Sequence, residues 1–312
     1  MGSDSQTFSK VLIVIGLLAI DAVWIALTDF RFDVQSALKV IAVTMFCSVV
    51  AFIYRTKRPM RTFEVVCTET TILLSFTAAA SVLSYLVTSL DRPLIDAELI
   101  GLDAKIGFDW LAYVAYVSER PLLGLVYSVA YLTILAQVAL AIIVLGLVGR
   151  IERTQQFVAA VMLGALVCIF VSAILPSAGA LATLRPSEAL WGIQRPVVDL
   201  AYKQTFYDLR SGFARFISLD SMRGVIAFPS YHGTLSGLLI LAFLDIPYWF
   251  WAVSMLNMLI LFATPIEGGH HLTDVIAGVV VAFGSWYVAG LFYKSPTAPL
   301  TKRAFETPAV PA

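Results

Sequence analysis

All three histidines of this 312-residue chain lie in two short polar stretches, each at the start of an apolar run. His232 lies in FPSYHGTLSG, and His270 and His271 lie in GGHHLTDVIAG. Imidazole suits nucleophilic and acid–base chemistry near neutral pH. His270 and Asp274 are four residues apart, a spacing that on a helix lets the carboxylate hold one ring nitrogen and leaves the other free. The pattern predicts a nucleophilic imidazole at the end of an apolar helix.

Small residues follow both stretches at helical spacing. Gly233 and Gly237 come just after the first histidine, and Gly278 and Ala282 continue the helix face of the second stretch. Small residues four apart let two helices approach closely. We therefore expect the two helices to cross tightly and to place histidines from both stretches in one pocket.

The beginning of the first apolar run is suited to binding an anion. Pro229 fits the first turn of a helix, where its missing N–H removes no hydrogen bond. The backbone N–H groups of Ser230, Tyr231 and His232 would then point outward at the positive end of the helix dipole. With the Ser230 hydroxyl as a further donor, these groups predict a phosphate site.

Two cations precede this site in AYKQTFYDLRSG. Lys203 and Arg210 are seven residues apart, which places them on one face of a helix. Pro196 and Gly212 bracket a short amphipathic helix, whose apolar side suits the membrane surface. We expect this helix to hold both cations above the pocket.

The composition is that of a membrane protein. Apolar residues make up 59% of the chain and charged residues 13%, with 21 basic and 21 acidic side chains. Short basic runs and a balanced charge exclude a nucleic-acid-binding surface. Cys47, Cys67 and Cys168 lie inside apolar runs without paired spacing, so we interpret them as core residues and predict no metal site and no cofactor.

The elements that must position these residues are apolar helices. A span needs about 20 apolar residues in helical conformation. We predict an all-α, polytopic helix bundle in which residues 1–62 form two additional N-terminal helices, 63–293 a six-helix core and 294–312 a disordered tail. The eight predicted spans are 10–28, 34–54, 63–90, 120–149, 155–175, 229–244, 246–264 and 270–292.

Lysine and arginine in the loops set the expected orientation. With eight spans, the side that carries the termini also carries most of the positive charge, which the positive-inside rule assigns to the cytoplasm. These residues are Arg55, Lys57, Arg58, Arg61, Arg150, Arg153, Lys294, Lys302 and Arg303. We expect a multi-pass protein of the cell (inner) membrane with cytoplasmic termini and an active site on the extracytoplasmic face.

Three segments together resemble the motifs of the type 2 phosphatidic acid phosphatase superfamily, K-x6-R-P, P-S-G-H and S-R-x5-H-x3-D. They are KQTFYDLRS, PSYH and ATPIEGGHHLTD, in that order. The resemblance covers the chain from about residue 63 onward. FPSYH and GGHHLTDVIAG look most like the branch that contains inositol phosphorylceramide synthase, which transfers phosphoryl head groups between lipids.

The resemblance implies a metal-independent lipid phosphatase or phosphotransferase. By this resemblance His270 attacks phosphorus and forms a phosphohistidine, Asp274 orients it, and His232 protonates the leaving oxygen and later activates water or an acceptor hydroxyl. The phosphate-binding residues would be Lys203, Arg210, Ser230, Tyr231 and Arg223. The implied partners are a lipid phosphate or phosphodiester and, for transfer, a lipid or sugar-alcohol acceptor; the oligomeric state stays open.

This chain departs from the superfamily pattern at several positions. Ser211 replaces the proline of the first motif, and Tyr231 replaces the glycine of the second. Thr264 stands in place of the third-motif arginine, and Arg223 is our candidate substitute. His271 points about 100° from His270 on a helix, so we expect it only to line the site.

Two other functions are compatible with the same residues. A membrane metalloenzyme could use the histidines and Asp274 as ligands, although no H-E-x-x-H is present. A secondary transporter could use Asp21, Glu64, Glu69 and Asp274 as a proton path, but no internal repeat supports it. We expect Asp21, Glu64 and Glu69 to be satisfied by neighbours within the bundle.

Overall fold

The computed structural model describes residues 2–191, 195–198 and 201–293, and these are almost entirely helical. The predicted disordered tail and residues 199–200 of the predicted amphipathic helix lie outside the described residues. The helices are α1 (Gly2–Leu27), α2 (Val34–Thr56), α3 (Arg61–Thr88), α4 (Asp96–Lys105), α5 (Trp110–Ser118), α6 (Pro121–Leu132), α7 (Ile134–Leu147), α8 (Ile151–Ile174), α9 (Ala180–Leu184), α10 (Glu188–Trp191), α11 (Ala201–Arg210), α12 (Tyr231–Ala242), α13 (Pro247–Glu267) and α14 (Leu272–Phe292).

Two short strands connect loops that are far apart in the chain. β1 (Arg31–Phe32) runs parallel to β2 (Phe216–Ile217). The Asp33 side chain caps α2 by accepting from the Gln35 N–H at 3.0 Å. Through β1, the turn between the first two helices is attached to the loop that leads to α12.

Six helices among the described residues are long and apolar enough to span a membrane: α1 from Ser5 onward, α2, α3, α8, α13 and α14. The protein is therefore a multi-pass membrane protein. The pair α6 and α7, bent by 48° at their junction, would supply a seventh span. The predicted total of eight is not confirmed, because the remaining segment, α12, has only 12 residues.

The short helix α12 lies inside the bundle. At 1.5 Å per residue it is about 18 Å long, less than the ~30 Å hydrocarbon thickness. It packs against α8, α13 and α14, and most of its residues are buried. Surrounded by longer helices instead of lipid, α12 need not cross the whole bilayer.

The helix α4, between the third and fourth predicted spans, carries two buried aspartates seven residues apart on one face. Asp96 accepts hydrogen bonds of 2.9–3.0 Å from the Ser177 hydroxyl, the backbone N–H groups of Ala178 and Gly179, and the Thr183 hydroxyl. This single carboxylate therefore holds the loop that follows α8.

The second aspartate of α4 holds the beginning of α14. Asp103 accepts from the backbone N–H groups of Leu272 at 3.0 Å and Thr273 at 2.9 Å, and from the Thr273 hydroxyl. Two N–H groups of the first helical turn, which have no partner within a helix, are thereby satisfied. The carboxylate also lies at the positive end of the helix dipole, where negative charge is stabilising.

His271 is fully buried between these two carboxylates. Its Nε2 lies 3.4 Å from Asp96 Oδ1, and its Nδ1 lies 3.6 Å from Asp103 Oδ2. Burial alone would lower the pKa of His271, but Asp103 and Asp96 outweigh burial and raise it to about 9. Burial would likewise raise the pKa of each aspartate, and its contacts with His271 and neighbouring donors lower it instead. The two carboxylates therefore favour the protonated form of His271, which lies within ion-pair distance of both and links α4 to α14, although neither ring nitrogen has a hydrogen bond within the described residues.

We predict that His271→Gln destabilises the protein in a pH-dependent manner. The folded-state pKa of about 9 lies above the usual value of 6.5, so the protonated ring stabilises the fold fully below pH 6.5 and loses this effect as pH rises through about 9. The expected difference in unfolding free energy is about 3 kcal/mol near pH 6.5 and fades toward pH 9. Tryptophan fluorescence during denaturant unfolding in detergent would measure it.

Lys39→Gln serves as the control, because Lys39 forms an exposed ion pair with Asp220. Such pairs contribute little to stability. A His271→Gln penalty that is the same at pH 6.5 and pH 9 would contradict a buried imidazolium and leave only a packing role.

Candidate active site

The His270 side chain is held at both ring nitrogens. Its Nδ1 lies 3.4 Å from Asp274 Oδ2, and its Nε2 lies 3.3 Å from the Ser230 hydroxyl. All three side chains are buried. The carboxylate therefore faces one nitrogen, and the other faces a hydroxyl at the start of α12.

Asp274 approaches His270 through the N-terminal turn of α14, not along a helix face as predicted. α14 begins at Leu272, with His271 as its N-cap, so His270 lies before the helix. Asp274 Oδ2 accepts from the His271 backbone N–H at 2.9 Å and is the same oxygen that faces His270. The capping interaction thus fixes the carboxylate beside the imidazole.

The turn between α13 and α14 requires its two glycines. A Cβ on Gly268 would lie 2.7 Å from both His270 Cδ2 and the Tyr131 hydroxyl. Gly269 has φ +67°, a backbone conformation that L side chains rarely adopt. The GG that precedes HH therefore brings the chain to His270 without a side chain in the site.

α12 and α14 cross in close contact, as the small residues predicted. A Cβ on Gly233 would lie 2.8 Å from the Val275 carbonyl oxygen, and one on Gly237 would lie 2.7 Å from Ala282 Cβ. A Cβ on Gly278 would collide with the Ser230 carbonyl. The crossing therefore places the beginnings of both helices side by side.

His232, in the first turn of α12, packs against an aromatic residue of α6. The rings of Tyr131 and His232 stack at 4.4 Å between centroids and 15° between planes. The Tyr131 hydroxyl lies 3.3 Å from His232 Nδ1. A hydroxyl can donate to a neutral imidazole or accept from a protonated one, so this contact is compatible with both protonation states.

Ser230 is the N-cap of α12, and Pro229 precedes it instead of starting the helix. The Ser230 hydroxyl accepts from the Gly233 N–H at 3.3 Å. Its own N–H donates to the Asp274 carbonyl at 3.0 Å. The prediction that the Ser230 N–H is free for an anion was therefore wrong, because that group ties α12 to α14.

His232 and His270 line one cavity of 250 Å³. Arg223 contributes to its wall, and its backbone N–H donates to the Tyr85 hydroxyl at 2.8 Å. The remaining lining residues are Tyr131, Val197, Val198, Tyr202, Gly224, Val225, Ile226, Ala227, Gly268 and Gly269. The structure thus brings together two histidines and one arginine at a space large enough for a phosphate group.

A second cavity, of 260 Å³, adjoins the first. The two share His232 and the segment 223–226. Its other walls come mainly from α3 and α8 and are largely apolar; they include Phe76, Ala80, Ala165, Cys168 and Ile169, together with Tyr231 of α12. An apolar chain in this second cavity would place its polar end at the histidines.

The cations of the first motif lie elsewhere in the described structure. Arg210 Nη2 lies 2.7 Å from Asp91 Oδ1 and also donates to the Arg92 carbonyl. α11 contributes Tyr202, and not Lys203, to the lining of the histidine cavity. Burial and nearby Arg185 lower the pKa of Lys203. Lys203 and Arg210 lie on one helix, as the spacing predicts, and neither is among the residues that line the histidine cavity.

Thr264, which replaces the third-motif arginine, contributes nothing to the cavity wall. It is fully buried, and its hydroxyl donates to the Ile260 carbonyl of its own helix at 2.7 Å. Arg223 is thus the arginine that this structure places beside the histidine pair.

The acids of the predicted spans differ in their environment. Glu69 forms a buried ion pair with Lys10, and Glu64 pairs with Arg61, as expected of bundle-satisfied acids. Asp21 differs from the expectation: it is buried, and neither carboxyl oxygen has a hydrogen-bond partner in the described part of the chain.

No group of three or more potential metal-ligating side chains was found in the described ranges. His270 and His271 are adjacent in sequence, yet they line different cavities. His270 lines the cavity that includes Arg223, and His271 lines a cavity that includes Asp103. The three cysteines are unpaired, and only Cys168 is fully buried.

Sequence reasoning missed three residues that organise this site. Asp96 and Asp103 lie far from the motifs in sequence, and isolated aspartates in a connecting segment carry no pattern. Tyr131 is an ordinary aromatic residue in an apolar run. The one available signal was the second histidine of HH, since a buried histidine beside a membrane span needs a polar partner.

Comparison with known proteins identifies the family of this chain. The search of curated proteins found no match, and neither did the search of solved structures. A family model described as PAP2 superfamily matches residues 97–288, which include α4 after Asp96, the Arg223 segment and both histidine stretches. Because the match covers more than half of the chain, the protein belongs to the PAP2 superfamily.

Proposed function

We propose that this protein is an integral-membrane lipid phosphatase or phosphotransferase that acts on a lipid phosphate or phosphodiester through a phosphohistidine on His270. The observation that carries the proposal is the His270 ring, with Asp274 at Nδ1 and with Nε2 at a cavity shared with His232. Membership of the PAP2 superfamily and the multi-pass architecture support a lipid phosphatase-type protein.

In the first step, the lone pair of His270 Nε2 forms a bond to phosphorus. The phosphorus–oxygen bond to the leaving group breaks, and His232 gives a proton to the departing alkoxide. Burial and nearby His270 lower the pKa of His232 to about 3, so this step requires the anionic substrate to raise that pKa when it binds beside the ring. Asp274 accepts the Nδ1–H of His270 and stabilises the positive charge that develops on the ring. The products of this step are an alcohol and a phosphohistidine.

In the second step, neutral His232 takes a proton from an acceptor hydroxyl. The acceptor oxygen bonds to phosphorus as the nitrogen–phosphorus bond breaks, which restores His270. Water as acceptor gives hydrolysis, and a lipid or sugar alcohol gives transfer, the chemistry of the inositol phosphorylceramide synthase branch that the motifs resemble. The hydroxyl of Tyr131 keeps His232 oriented in both protonation states.

The phosphoryl oxygens would be held by Ser230, by the backbone N–H groups of Tyr231 and His232 at the beginning of α12, and by Arg223. These donors supply positive potential where negative charge accumulates. The proposed chemistry therefore needs no metal. Lys203 and Arg210 remain secondary candidates, because Arg210 reaches a phosphate only if it leaves Asp91.

We further propose the cell membrane as the location, with cytoplasmic termini and the histidine cavity on the extracytoplasmic side. The support is the excess of lysine and arginine near Arg58 and Arg150, on the opposite side of the predicted spans.

We predict that His270→Ala abolishes turnover and that His232→Ala traps the intermediate. The first variant has no nucleophile. The second still attacks a substrate with a good leaving group such as p-nitrophenolate, but it cannot activate the acceptor. Radiolabelled phosphate should accumulate on His232→Ala as an acid-labile adduct, located at His270 by peptide mapping.

His271→Gln, assayed near pH 9, where its predicted loss of stability fades, is the matched control for loss of a neighbouring imidazole, and it should still form the adduct. Phosphate on a serine or aspartate, or more than a few per cent of activity in His270→Ala, would overturn the mechanism.

We predict that Arg223→Cys lowers kcat/KM by roughly a hundredfold, the usual effect of removing a preorganised charge. Arg210→Cys should lower kcat/KM less, since the Arg210 guanidinium is engaged by Asp91.

The same cysteine variant tests the orientation. In a background without native cysteines, Arg223→Cys should react with an impermeant thiol reagent added outside intact cells, whereas Arg58→Cys should not. A larger loss from Arg210→Cys would restore the first motif as the principal phosphate site, and labelling of position 58 alone would invert the orientation.

We predict that Ala80→Phe weakens binding of long-chain substrates specifically. The added ring would fill the apolar cavity beside His232. KM for a long-chain lipid phosphate should rise about tenfold, while kcat/KM for a short soluble phosphate ester changes less than twofold. Leu74→Phe, at an exposed position of the same helix, is the control. Equal losses for both substrates would contradict a chain-binding role.

A further inference from the structure

The largest of the cavities described lies on the opposite face of α3 from the histidine site. It has a volume of 560 Å³ and lies between α1, α2 and α3. α1 and α2 both pack against α3 and make little contact with each other, so a gap remains between them. Ser75, Ala78 and Ala79 form its floor, and Phe32 and Leu219 lie at its end.

Asp21 of α1 projects into this gap. Its side chain is 5% exposed, and neither carboxyl oxygen has a hydrogen-bond partner among the described residues. The residues that line the cavity are otherwise apolar except for Thr44 and Ser75, and they include no lysine, arginine or histidine. A buried polar group without a partner is costly, and an acid inside a membrane bundle is a sign of function. The cavity therefore lacks the group that would satisfy Asp21.

The missing group must be a hydrogen-bond donor on an apolar molecule. A lipid phosphate is unsuitable, because its negative charge would meet a carboxyl with no cation nearby. An ammonium would bring three donors and a charge that is expensive to desolvate. A hydroxyl instead forms two hydrogen bonds with a neutral carboxyl, donating to one oxygen and accepting from the other, and leaves no net charge.

We propose that this cavity is a binding site for a lipid alcohol, with the hydroxyl at Asp21 and the chain in the gap between α1 and α2. The site is separate from the histidine cavity, because α3 stands between them. The assignment depends on Asp21 and the cavity alone. Its connection with catalysis rests on the proposed function: a lipid alcohol is the class of molecule that phosphate removal releases and that transfer consumes.

The test is photolabelling of the purified full-length protein by a long-chain alcohol that carries a diazirine. Labelled peptides should map to α1, α2 and α3 and be displaced by excess dodecanol, but not by dodecyl phosphate. Asp21→Asn should retain labelling within twofold, because the amide also donates to and accepts from a hydroxyl. Asp21→Leu should reduce it at least tenfold.

Matched variants separate this proposal from unspecific partitioning. Asp29→Leu, which removes an exposed acid close to the end of α1, should label like the wild type. Ala78→Phe fills the gap without touching the acid and should abolish labelling, which keeps the test decisive if Asp21→Leu does not fold.

Two outcomes would contradict the proposal. Equal labelling in Asp21→Leu and wild type would show that the acid has no role. Loss of labelling in Asp21→Asn, with displacement by dodecylamine, would show that the ligand is a cation instead of an alcohol. Phosphate release, assayed separately, reports on the histidine site alone.

Discussion

The position of His270 depends on a buried ion cluster that does not line the His270 cavity. Asp96 and Asp103 hold the His271 imidazolium between them, and each carboxylate also binds backbone N–H groups of a different segment. Unpaired buried charges are strongly destabilising, so the three groups must remain together. Since His270 is adjacent to His271 in the chain, the cluster fixes the point at which His270 enters the cavity.

The second constraint is the close approach of α12 and α14. Glycines at the crossing let backbone meet backbone, and the Ser230 N–H donates directly to the Asp274 carbonyl. A larger residue at Gly278 would separate the helices and move Ser230 away from His270. The site therefore uses rigid backbone contacts, rather than side-chain length, to set the distance between its two histidine stretches.

Local sequence patterns predicted contacts between residues that are only a few positions apart in the chain. The small residues after His232 identified the helix crossing that the structure shows. The spacing of His270 and Asp274 identified a contact that is present, but it forms through the N-terminal turn of α14 and not along a helix face. Asp96 and His271 are far apart in sequence, and only tertiary packing brings them together. Hydropathy likewise counted α12 as a span, since it cannot distinguish a helix buried by protein from one buried by lipid. The orientation of α11, which turns Arg210 toward Asp91, is equally a property of packing.

The buried charges of this bundle fall into two classes by how completely they are paired. Lys10 with Glu69, and His271 with its two aspartates, compensate one another within the protein and hold elements together. His270 contacts Asp274 at one ring nitrogen and the Ser230 hydroxyl at the other and lines a cavity, and Asp21 lacks any hydrogen-bond partner in the described structure. A buried polar group without a partner inside an apolar bundle is unfavourable unless something binds to it, so Asp21 indicates a place where a ligand can bind. α3 lines a cavity on each of its two faces. One of these cavities contains His232 and the other contains Asp21.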